Sequence, residues 1–247
     1  MPKNLRLALL LSAAAVVLSA AGCSRDPAPG TEAAAAEGGR LMRQMSDALA
    51  GARVLQFATS ESLETPGPAS GRRGLRFTGS VTVRRPGARY FELKGAGDTK
   101  LDMAVYYDGR TLSLRDDLHG AWAQTPVPAT LDDMLDDVAR RYSMPVPFAD
   151  VVYSVPYEAF IGPDTKGGFV GRETIDGVEC AHLSYADGHV GVEVWLPSSG
   201  QPLPRRVELV YKRVSGEPRA RMDFTRWDLA PQVADATFNF QPRADTA

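Results

Sequence analysis

The chain has 247 residues, of which 44% are hydrophobic and 23% charged, and its formal net charge is −2. This is an ordinary globular composition, long enough for one large β domain or two small ones. The charge balance excludes a polyanion-binding protein, so nucleic acid is not an expected partner.

The first 22 residues have the pattern of a secretory signal peptide. Lys3 and Arg6 form a positive segment, and an apolar segment of Leu, Ala and Val follows at residues 7–18. The apolar stretch is too short for a spanning helix with a stop-transfer flank. We therefore predict a signal peptide at 1–22, and its removal takes the net charge to about −4.

Two interpretations of the cleavage site compete at Cys23. The small residues before it mark an ordinary signal-peptidase site, or they form a bacterial lipobox in which Ala20 replaces the usual Leu. We favour the second, because a free cysteine has little other use at this position. Ser24 follows rather than Asp, which resembles the sorting signal for the outer rather than the inner membrane. The sequence thus predicts a bacterial envelope protein, lipid-anchored through Cys23 and facing the periplasm.

Residues 23–37 are rich in Pro, Gly, Ala and acidic residues and indicate a flexible tether, with a helical start at 33–36 as the alternative for its last part. The remainder, 38–247, is predicted to be a single domain. Apolar residues recur at helical spacing between Gly39 and Gly51, which predicts an amphipathic helix that ends at a glycine.

Alternating apolar residues then predict a series of strands. In one of them, Gly79 is the expected site of a bulge or bend. The candidate strands before residue 126 are 54–63, 75–83, 89–94, 101–107, 110–115 and 121–125.

The pattern changes at Pro126, where a helical insert at 130–161 interrupts the β run. Thr130 is suited to cap a helix that starts with Asp132 and Asp133 in its first turn and ends near Arg140 and Arg141. Short helical pieces are expected around 149–153 and 157–161.

Strands resume at 167–197, where the pairs Asp176-Gly177 and Asp187-Gly188 predict two hairpin turns. Further strands follow around 207–211 and 219–228, giving about ten in all. A sheet of this length is expected to curl. We predict a mainly β fold: a curled antiparallel sheet that forms an incomplete (half) β-barrel, with the N-terminal helix and the insert covering its concave face.

Motifs spread over 41–242 resemble a family of predicted periplasmic bacterial proteins of unknown function. They include Tyr-Asp-Gly at 107–109, Thr-Leu-Asp-Asp-Met-Leu-Asp from Thr130, Met-Pro-Val-Pro-Phe-Ala-Asp from Met144, Pro-Leu-Pro-Arg-Arg at 202–206 and Phe-Asn-Phe at 238–240. That family is similar to the LolA/LolB-like lipoprotein-carrier half-barrels. The resemblance implies an eleven-stranded half-barrel with a helical lid and an apolar cavity, without implying Lol activity.

Residues that could carry chemistry form no convincing site in the sequence. Cys180 and His182 share one face of a strand but are roughly 6.5–7 Å apart along it, a poor distance for a nucleophile and its base. The three histidines match no zinc-ligand spacing, so neither a metal nor another cofactor is expected. The acidic run Asp132, Asp133, Asp136 and Asp137 is interpreted as a solvated helix face, with calcium or a basic partner as the alternative.

These observations favour a non-enzymatic protein that binds a hydrophobic ligand, a lipid or an acyl chain, in the half-barrel cavity, gated by the insert. The alternative is an envelope scaffold with a filled core that binds a protein partner; a hydrolase using Cys180 or His182 ranks last. The candidate cavity residues, chosen from alternation, are Phe77, Val81, Leu101, Met103, Val105, Val192, Val194 and Leu209.

Overall fold

The computed structural model describes residues 26–66, 72–142 and 148–242. The predicted signal peptide, Cys23 and the Met-Pro-Val-Pro segment at 144–147 lie outside the described residues. Among the described residues, no helix is long and apolar enough to cross a membrane.

Within these described ranges, eleven strands form one antiparallel sheet. They are β1 (Val54–Pro66), β2 (Arg72–Arg84), β3 (Ala88–Gly95), β4 (Asp102–Tyr107), β5 (Thr111–Asp116), β6 (Ala121–Pro126), β7 (Lys166–Ile175), β8 (Val178–Ala186), β9 (Val190–Pro197), β10 (Arg206–Tyr211) and β11 (Arg219–Asp228). Their spatial order is β6-β5-β4-β3-β2-β1-β11-β10-β9-β8-β7. The first six strands form one meander and the last five a second, joined where β1 pairs with β11. Because β6 and β7 remain edges, the sheet is not closed, and the predicted half-barrel is confirmed.

The register defines which side chains share a face. Phe57 of β1 lies opposite Val81, and that row continues through Phe91 of β3 and Val105 of β4. In the second meander, Met222, Val207, Val194 and Leu183 form an equivalent row. We call the side that carries these rows the inner face, because it packs into the main hydrophobic core with the helices.

The N-terminal helix α1 (Glu32–Gly51) covers the end of the inner face at β7. Thr31 caps it by accepting a hydrogen bond from the amide of Ala34. Gly38 meets Gly168 so closely that a Cβ on Gly38 would lie 2.6 Å from the Gly168 Cα atom. Two glycines therefore permit the helix backbone to lie directly on the strand.

The helix begins earlier than the flexible tether was expected to end. Residues 32–37 are helical, as the alternative interpretation of that segment allowed. Just before the helix, both carboxylate oxygens of Asp26 accept hydrogen bonds from Arg172, at 2.7 and 2.8 Å. The chain thus contacts the domain from Asp26 onward, and residues 32–37 belong to α1 rather than to an irregular segment.

The insert contains α2 (Leu131–Tyr142), a 3-10 turn (Ala149–Val151) and α3 (Pro156–Phe160). Thr130 caps α2 as predicted, through the amide of Asp133 at 3.1 Å. The apolar stripe of α2 is buried in the core: Leu131, Met134, Leu135 and Val138. The insert therefore covers part of the inner face.

The C-terminal segment covers the opposite, outer face of the first meander. A 3-10 turn (Asp235–Phe238) places Phe238 under the guanidinium of Arg84, 4.6 Å from the ring centroid. The Phe240 ring lies 5.6 Å from that of Tyr106 and 5.5 Å from that of Trp122. Most of the helical cover of the sheet is thus on the inner face, and the tail supplies a smaller apolar patch outside.

Gly79 does not form the expected bulge. The two register irregularities lie between Ala58 and Thr59 in β1 and between Phe169 and Gly171 in β7. A Cβ on Gly79 would lie 2.6 Å from the Thr59 hydroxyl oxygen and 3.0 Å from a Glu61 carboxylate oxygen. The glycine therefore provides room for two polar side chains of the neighbouring strand.

Candidate functional site: an apolar cavity beneath the insert

The inner face has two halves that differ in how they are covered. Over the second meander, side chains such as Leu183 and Val194 have no exposed surface. Over the outer strands of the first meander, Leu93, Met103 and Val105 remain partly exposed, and Leu114 is 39% exposed. We call these the covered half, at β7–β11, and the open half, at β2–β6.

The covered half contains a cavity of about 330 Å³ between the insert and the sheet. Volumes of this size lie at the lower end of the range for small-molecule sites. Its lining is mostly apolar and comes from α2, the 3-10 turn, α3 and strands β8–β10: Leu135, Ala139, Phe148, Ala149, Asp150, Tyr153, Ala159, Phe160, Thr165, Ala186, Asp187, Val190, Val192, Leu209 and Tyr211.

Local backbone geometry directs the insert into this position. Phe148 has a φ of 58°, in the left-handed region that bulky residues rarely adopt, yet its side chain is only 5% exposed. Burial of the ring holds this conformation, since it places the aromatic group in the cavity wall. Pro156 occupies the first turn of α3, where its missing N–H is no loss.

Arg85 connects the insert to the sheet. Its guanidinium donates to the carbonyl oxygens of Val152 and Tyr153, at 2.9 and 3.0 Å. These are charge-assisted hydrogen bonds across 67 and 68 residues of chain. Arg85 is the main polar contact between the end of β2 and the segment after the 3-10 turn, and we call it the latch.

A second, wider depression of about 370 Å³ adjoins the cavity and shares Asp150, Tyr153 and Ala159 with it. We call it the acidic mouth, because Asp132, Asp136 and Glu158 contribute to its lining. Asp132 accepts hydrogen bonds from the backbone amide and hydroxyl of Ser154, and Asp136 accepts one from the Tyr153 hydroxyl at 2.7 Å.

These contacts change the interpretation of the acidic run on α2. Asp133 bonds with Thr130 and Asp137 pairs with Arg141, so all four aspartates have partners within or near the insert. The run therefore stabilises the insert as well as facing solvent.

Asp150 lies where the cavity meets the mouth. Burial raises the pKa of its carboxyl group to about 6, and only a hydrogen bond from its own backbone amide opposes that shift. In a folded protein, such a shift marks a carboxylate that has lost water without gaining a positive partner. Sequence analysis missed Asp150, although a charged residue within the apolar run 148–152 was a usable signal.

The open half also contains a buried charged side chain on its inner face, Arg89, next to the partly buried Glu61 of β1, and sequence analysis singled out neither. Arg89 is 8% exposed, its Nε atom has no hydrogen-bond partner, and burial lowers its pKa to about 10. Burial raises the pKa of Glu61, which accepts a hydrogen bond from the Thr59 hydroxyl at 2.8 Å. The alternation of Arg89 with Phe91 and Leu93 already placed it on the inner face.

The eight candidate cavity residues divide between the two halves. Val192 and Leu209 line the cavity, and Val194 is fully buried beside them. Phe77, Met103 and Val105 lie partly exposed on the open half, and Val81 is buried there. Leu101 precedes β4 and its carbonyl accepts a hydrogen bond from Gly95. The structure therefore does not bring the eight together in one pocket.

Cys180 and His182 share the outer face of β8, as predicted, but they do not form a nucleophile pair. Cys180 is fully buried and its thiol points to the Val178 carbonyl, 3.5 Å away; burial raises the pKa of that thiol. His182 instead lies between Glu173 and Glu193, with nitrogen–oxygen distances of 2.8 and 2.7 Å, and stacks on Trp195 at 4.3 Å. A protonated thiol without a base is not a nucleophile.

Within the ranges that the structure describes, no group of three or more His, Cys, Asp and Glu residues has a metal-binding arrangement. His119 pairs with Asp116 at 2.7 Å, on the exposed turn between β5 and β6. It is separate from His182, which lies on the outer face of β8.

Solved structures with low sequence identity resemble the chain. A LolA superfamily protein from Nitrosomonas europaea matches with 13% identity over 83% of this chain and 98% of its own, at a TM-score of 0.41. The Mycobacterium tuberculosis lipoprotein LppX matches with 14% identity over 79% of this chain and 97% of its own, at a TM-score of 0.47. MucB matches with 17% identity over 85% of this chain and 64% of its own, at a TM-score of 0.45.

None of the curated proteins matches this chain. A family model described as a predicted periplasmic protein, DUF2092, matches residues 38–247. This match agrees with the family likeness that the sequence motifs indicated. The chain therefore belongs to the DUF2092 family of predicted periplasmic proteins.

Proposed function

We propose that this periplasmic protein is lipid-anchored and holds a hydrophobic ligand, a lipid or an acyl chain, without catalysis. The observation that carries the proposal is the apolar cavity of about 330 Å³ beneath the insert. The cavity joins the acidic mouth and is open to solvent there, so it is a cleft of ligand size. A cleft of this size favours ligand binding over the alternative of a completely filled core.

The lining of the cavity favours an alkyl or acyl group. Leu135, Phe148, Phe160, Val192 and Leu209 offer hydrocarbon surface from both the insert and the sheet. Transfer of apolar surface from water into such a site contributes about 25 cal/mol per Å² buried.

The insert is suited to act as a gate. It follows β6 and returns to β7, so its two ends join the two edges of the sheet. Its 3-10 turn and α3 are held by the latch and by a hydrogen bond from the Tyr157 amide to the Ser46 hydroxyl of α1, at 3.0 Å. Opening the cavity requires these polar contacts to break and buried side chains such as Val151 and Phe160 to leave the core, while each helix stays intact.

A lipid on Cys23 would hold the domain close to the membrane. Only a short stretch separates Cys23 from Asp26, which Arg172 binds. Three extended residues span about 10 Å at most. The end of the inner face near Arg172, beside the start of α1, is then the part of the domain nearest the bilayer, and we favour the outer membrane. Replacing Cys23 with Ser is expected to move the protein from the membrane to the soluble fraction; unchanged fractionation contradicts lipid anchoring.

Native mass spectrometry of the Cys23→Ser protein purified from the periplasm, with organic extraction of what co-purifies, tests ligand binding. We expect a stoichiometric lipid or fatty-chain compound, whose identity defines the ligand class. A clean apo mass, with no uptake of added phospholipid or fatty acid, contradicts the proposal.

The second candidate function is an envelope scaffold that binds a protein partner. The observation that favours it is the apolar surface beside the free edge β6, where Leu118 is 48% and Trp122 37% exposed. An unpaired edge strand with apolar neighbours is suited to strand addition by another chain. A clean apo mass would favour this function over ligand binding.

A further inference from the structure

We propose that the ligand of the cavity is an amphiphile with an amine headgroup, whose ammonium pairs with Asp150 while its hydrocarbon chain occupies the apolar cavity. This inference rests on the proposed function, because it names the ligand class of the same cavity. It follows from the charges that face the cavity and its mouth.

Among the described residues, the cavity lining contains carboxylates but no basic side chain. Its ionisable lining residues are Asp150, Asp187 and the phenols Tyr153 and Tyr211. Asp187 already has hydrogen-bond partners, since its carboxylate accepts hydrogen bonds from the backbone amides of His189 and Val190 at 2.6 and 2.8 Å. Within the described part of the chain, the Asp150 carboxylate has no partner besides its own amide.

The acidic mouth, through which a ligand would reach Asp150, is also lined by negatively charged side chains. Asp132, Asp136 and Glu158 line the acidic mouth, and no Lys or Arg contributes to that lining among the described residues. A cleft lined by charges of one sign raises the local concentration of ligands of the opposite sign. An ammonium group is therefore attracted to the mouth, and a carboxylate or phosphate is repelled.

The basic side chain that holds this segment does not neutralise Asp150. The latch residue Arg85 directs its terminal nitrogens to the carbonyls of Val152 and Tyr153, and its charge is coupled to Asp132 on α2. On the sheet side, Tyr211 of β10 faces Asp150, and the proximity of that carboxylate contributes to its raised pKa. A cation supplied by the ligand is thus the missing partner of Asp150.

The position of Asp150 also fixes the orientation of the ligand. It belongs to both the cavity and the mouth, whereas Leu135, Val192 and Leu209 belong to the cavity alone. The chain then lies inside against these residues, and the headgroup remains at the mouth. Such an arrangement matches an apolar pocket in which a few polar groups fix orientation.

The test compares twelve-carbon probes with different headgroups, titrated by calorimetry below their self-association concentrations into the full chain carrying Cys23→Ser. At pH 7.5 we expect dodecylamine to bind at least tenfold more tightly than dodecanoate. Asp150→Asn should remove at least tenfold of the dodecylamine affinity and leave dodecan-1-ol binding intact. The matched control Asp235→Asn, which removes an exposed carboxylate outside the cavity and the mouth, should leave the dodecylamine affinity unchanged.

The pH dependence provides a second readout. The pKa of Asp150 is about 6 in the ligand-free protein, and the amine stays protonated throughout this range. Dodecylamine binding should therefore be about tenfold weaker at pH 5 than at pH 7.5, and Asp150→Asn should abolish that difference.

Two results overturn the inference. Dodecanol and dodecanoate binding without preference for the amine, or an Asp150→Asn variant that retains the preference, rejects the amine headgroup and leaves the proposed function standing. Failure of all three probes to bind rejects the proposed function together with the inference.

Discussion

The covered and open halves of the inner face are built from the same alternating apolar pattern but differ in what packs on them. In the covered half, α1 and the insert bury the strands and still leave a cavity of about 330 Å³. In the open half, Leu93, Met103 and Leu114 keep contact with solvent. The same sheet therefore has a partly enclosed cavity at one side and an apolar surface at the other.

Alternation of apolar residues therefore predicts which face of a strand is apolar, but not which elements cover that face. Val105 and Val194 occupy equivalent places in the pattern of their strands. Only Val194 is fully buried.

The close contact of α1 with β7 is expected to give the largest effect. Gly38→Val places side-chain atoms where the backbone of Gly168 lies, so the helix must move away from the strand. We expect a loss of about 3 kcal/mol in the free energy of unfolding, measured by urea denaturation. The control is Gly39→Ala, whose Cβ meets only the flexible Arg43 side chain; it should stabilise the helix by up to about 1 kcal/mol. Equal effects at both glycines contradict this packing.

Removal of the latch should give the next largest effect. Arg85→Ala breaks two charge-assisted hydrogen bonds to the carbonyls of Val152 and Tyr153, and we expect a loss of about 2–3 kcal/mol. Hydrogen exchange should increase in the 3-10 turn and α3, with little change in β7–β11. The neighbouring Arg84→Ala, which breaks a pair with the exposed Asp235, should cost less than about 1 kcal/mol. Unchanged exchange in the insert after Arg85→Ala rejects the latch.

The two valines compare the halves directly. Val194→Ala removes two methyl groups from a fully buried site and should cost about 2 kcal/mol. Val105→Ala, in the open half, should cost about 1 kcal/mol or less, because the site is partly exposed. Chemical denaturation of both variants checks the difference, and equal losses would mean that the open half is covered in solution.

Asp150→Asn should stabilise the ligand-free protein at neutral pH. Burial raises the pKa of this carboxyl group, so the folded state favours its protonated form. Its contribution to stability is therefore highest below the unfolded pKa of about 3.9 and is lost as the pH rises through the folded pKa of about 6. At pH 7.5 the ionised carboxylate therefore costs stability, and the amide does not ionise. We expect a gain of about 1–3 kcal/mol at pH 7.5 and little change at pH 4. A loss at pH 7.5 would show that the carboxylate has a positive partner.

The smallest effect concerns His182 on the outer face, away from both halves. Burial lowers its pKa, but the hydrogen bonds and charges of Glu193 and Glu173 outweigh burial and raise it. Its contribution is therefore full below the unfolded value of about 6.5 and is lost as the pH rises through the higher folded value. His182→Gln should destabilise the protein by about 1 kcal/mol at pH 6 and by less at pH 9; a constant difference contradicts the charged pairing.

Much of the sheet and both main helices could be predicted from the sequence, because alternation, Asp-Gly turns and the Thr130 cap are local signals. The start of α1 at Glu32 was obscured by its Ala- and Gly-rich composition, which is also typical of a tether. The contact between Gly38 and Gly168 joins residues that are far apart in sequence, so no local pattern indicates it.

The site was harder to predict than the fold. Alternation identified Val192 and Leu209 correctly as inward-facing, but it could not separate them from Met103 and Val105, since coverage depends on where the insert packs. Asp150 and Arg89 are charged residues within apolar patterns. The sequence does not show that they are buried, and burial is what shifts their pKa values.

If the proposed hydrophobic ligand occupies the covered half, its binding should depend on side chains there and not on those of the open half. We would titrate dodecan-1-ol into the wild type, Ala139→Trp and Ala123→Trp. Ala139 lines the cavity from α2, whereas Ala123 lies on β6 in the open half. We expect Ala139→Trp to weaken binding at least tenfold and Ala123→Trp to leave it unchanged. Loss of binding in Ala123→Trp alone would place the ligand on the open half and contradict the account.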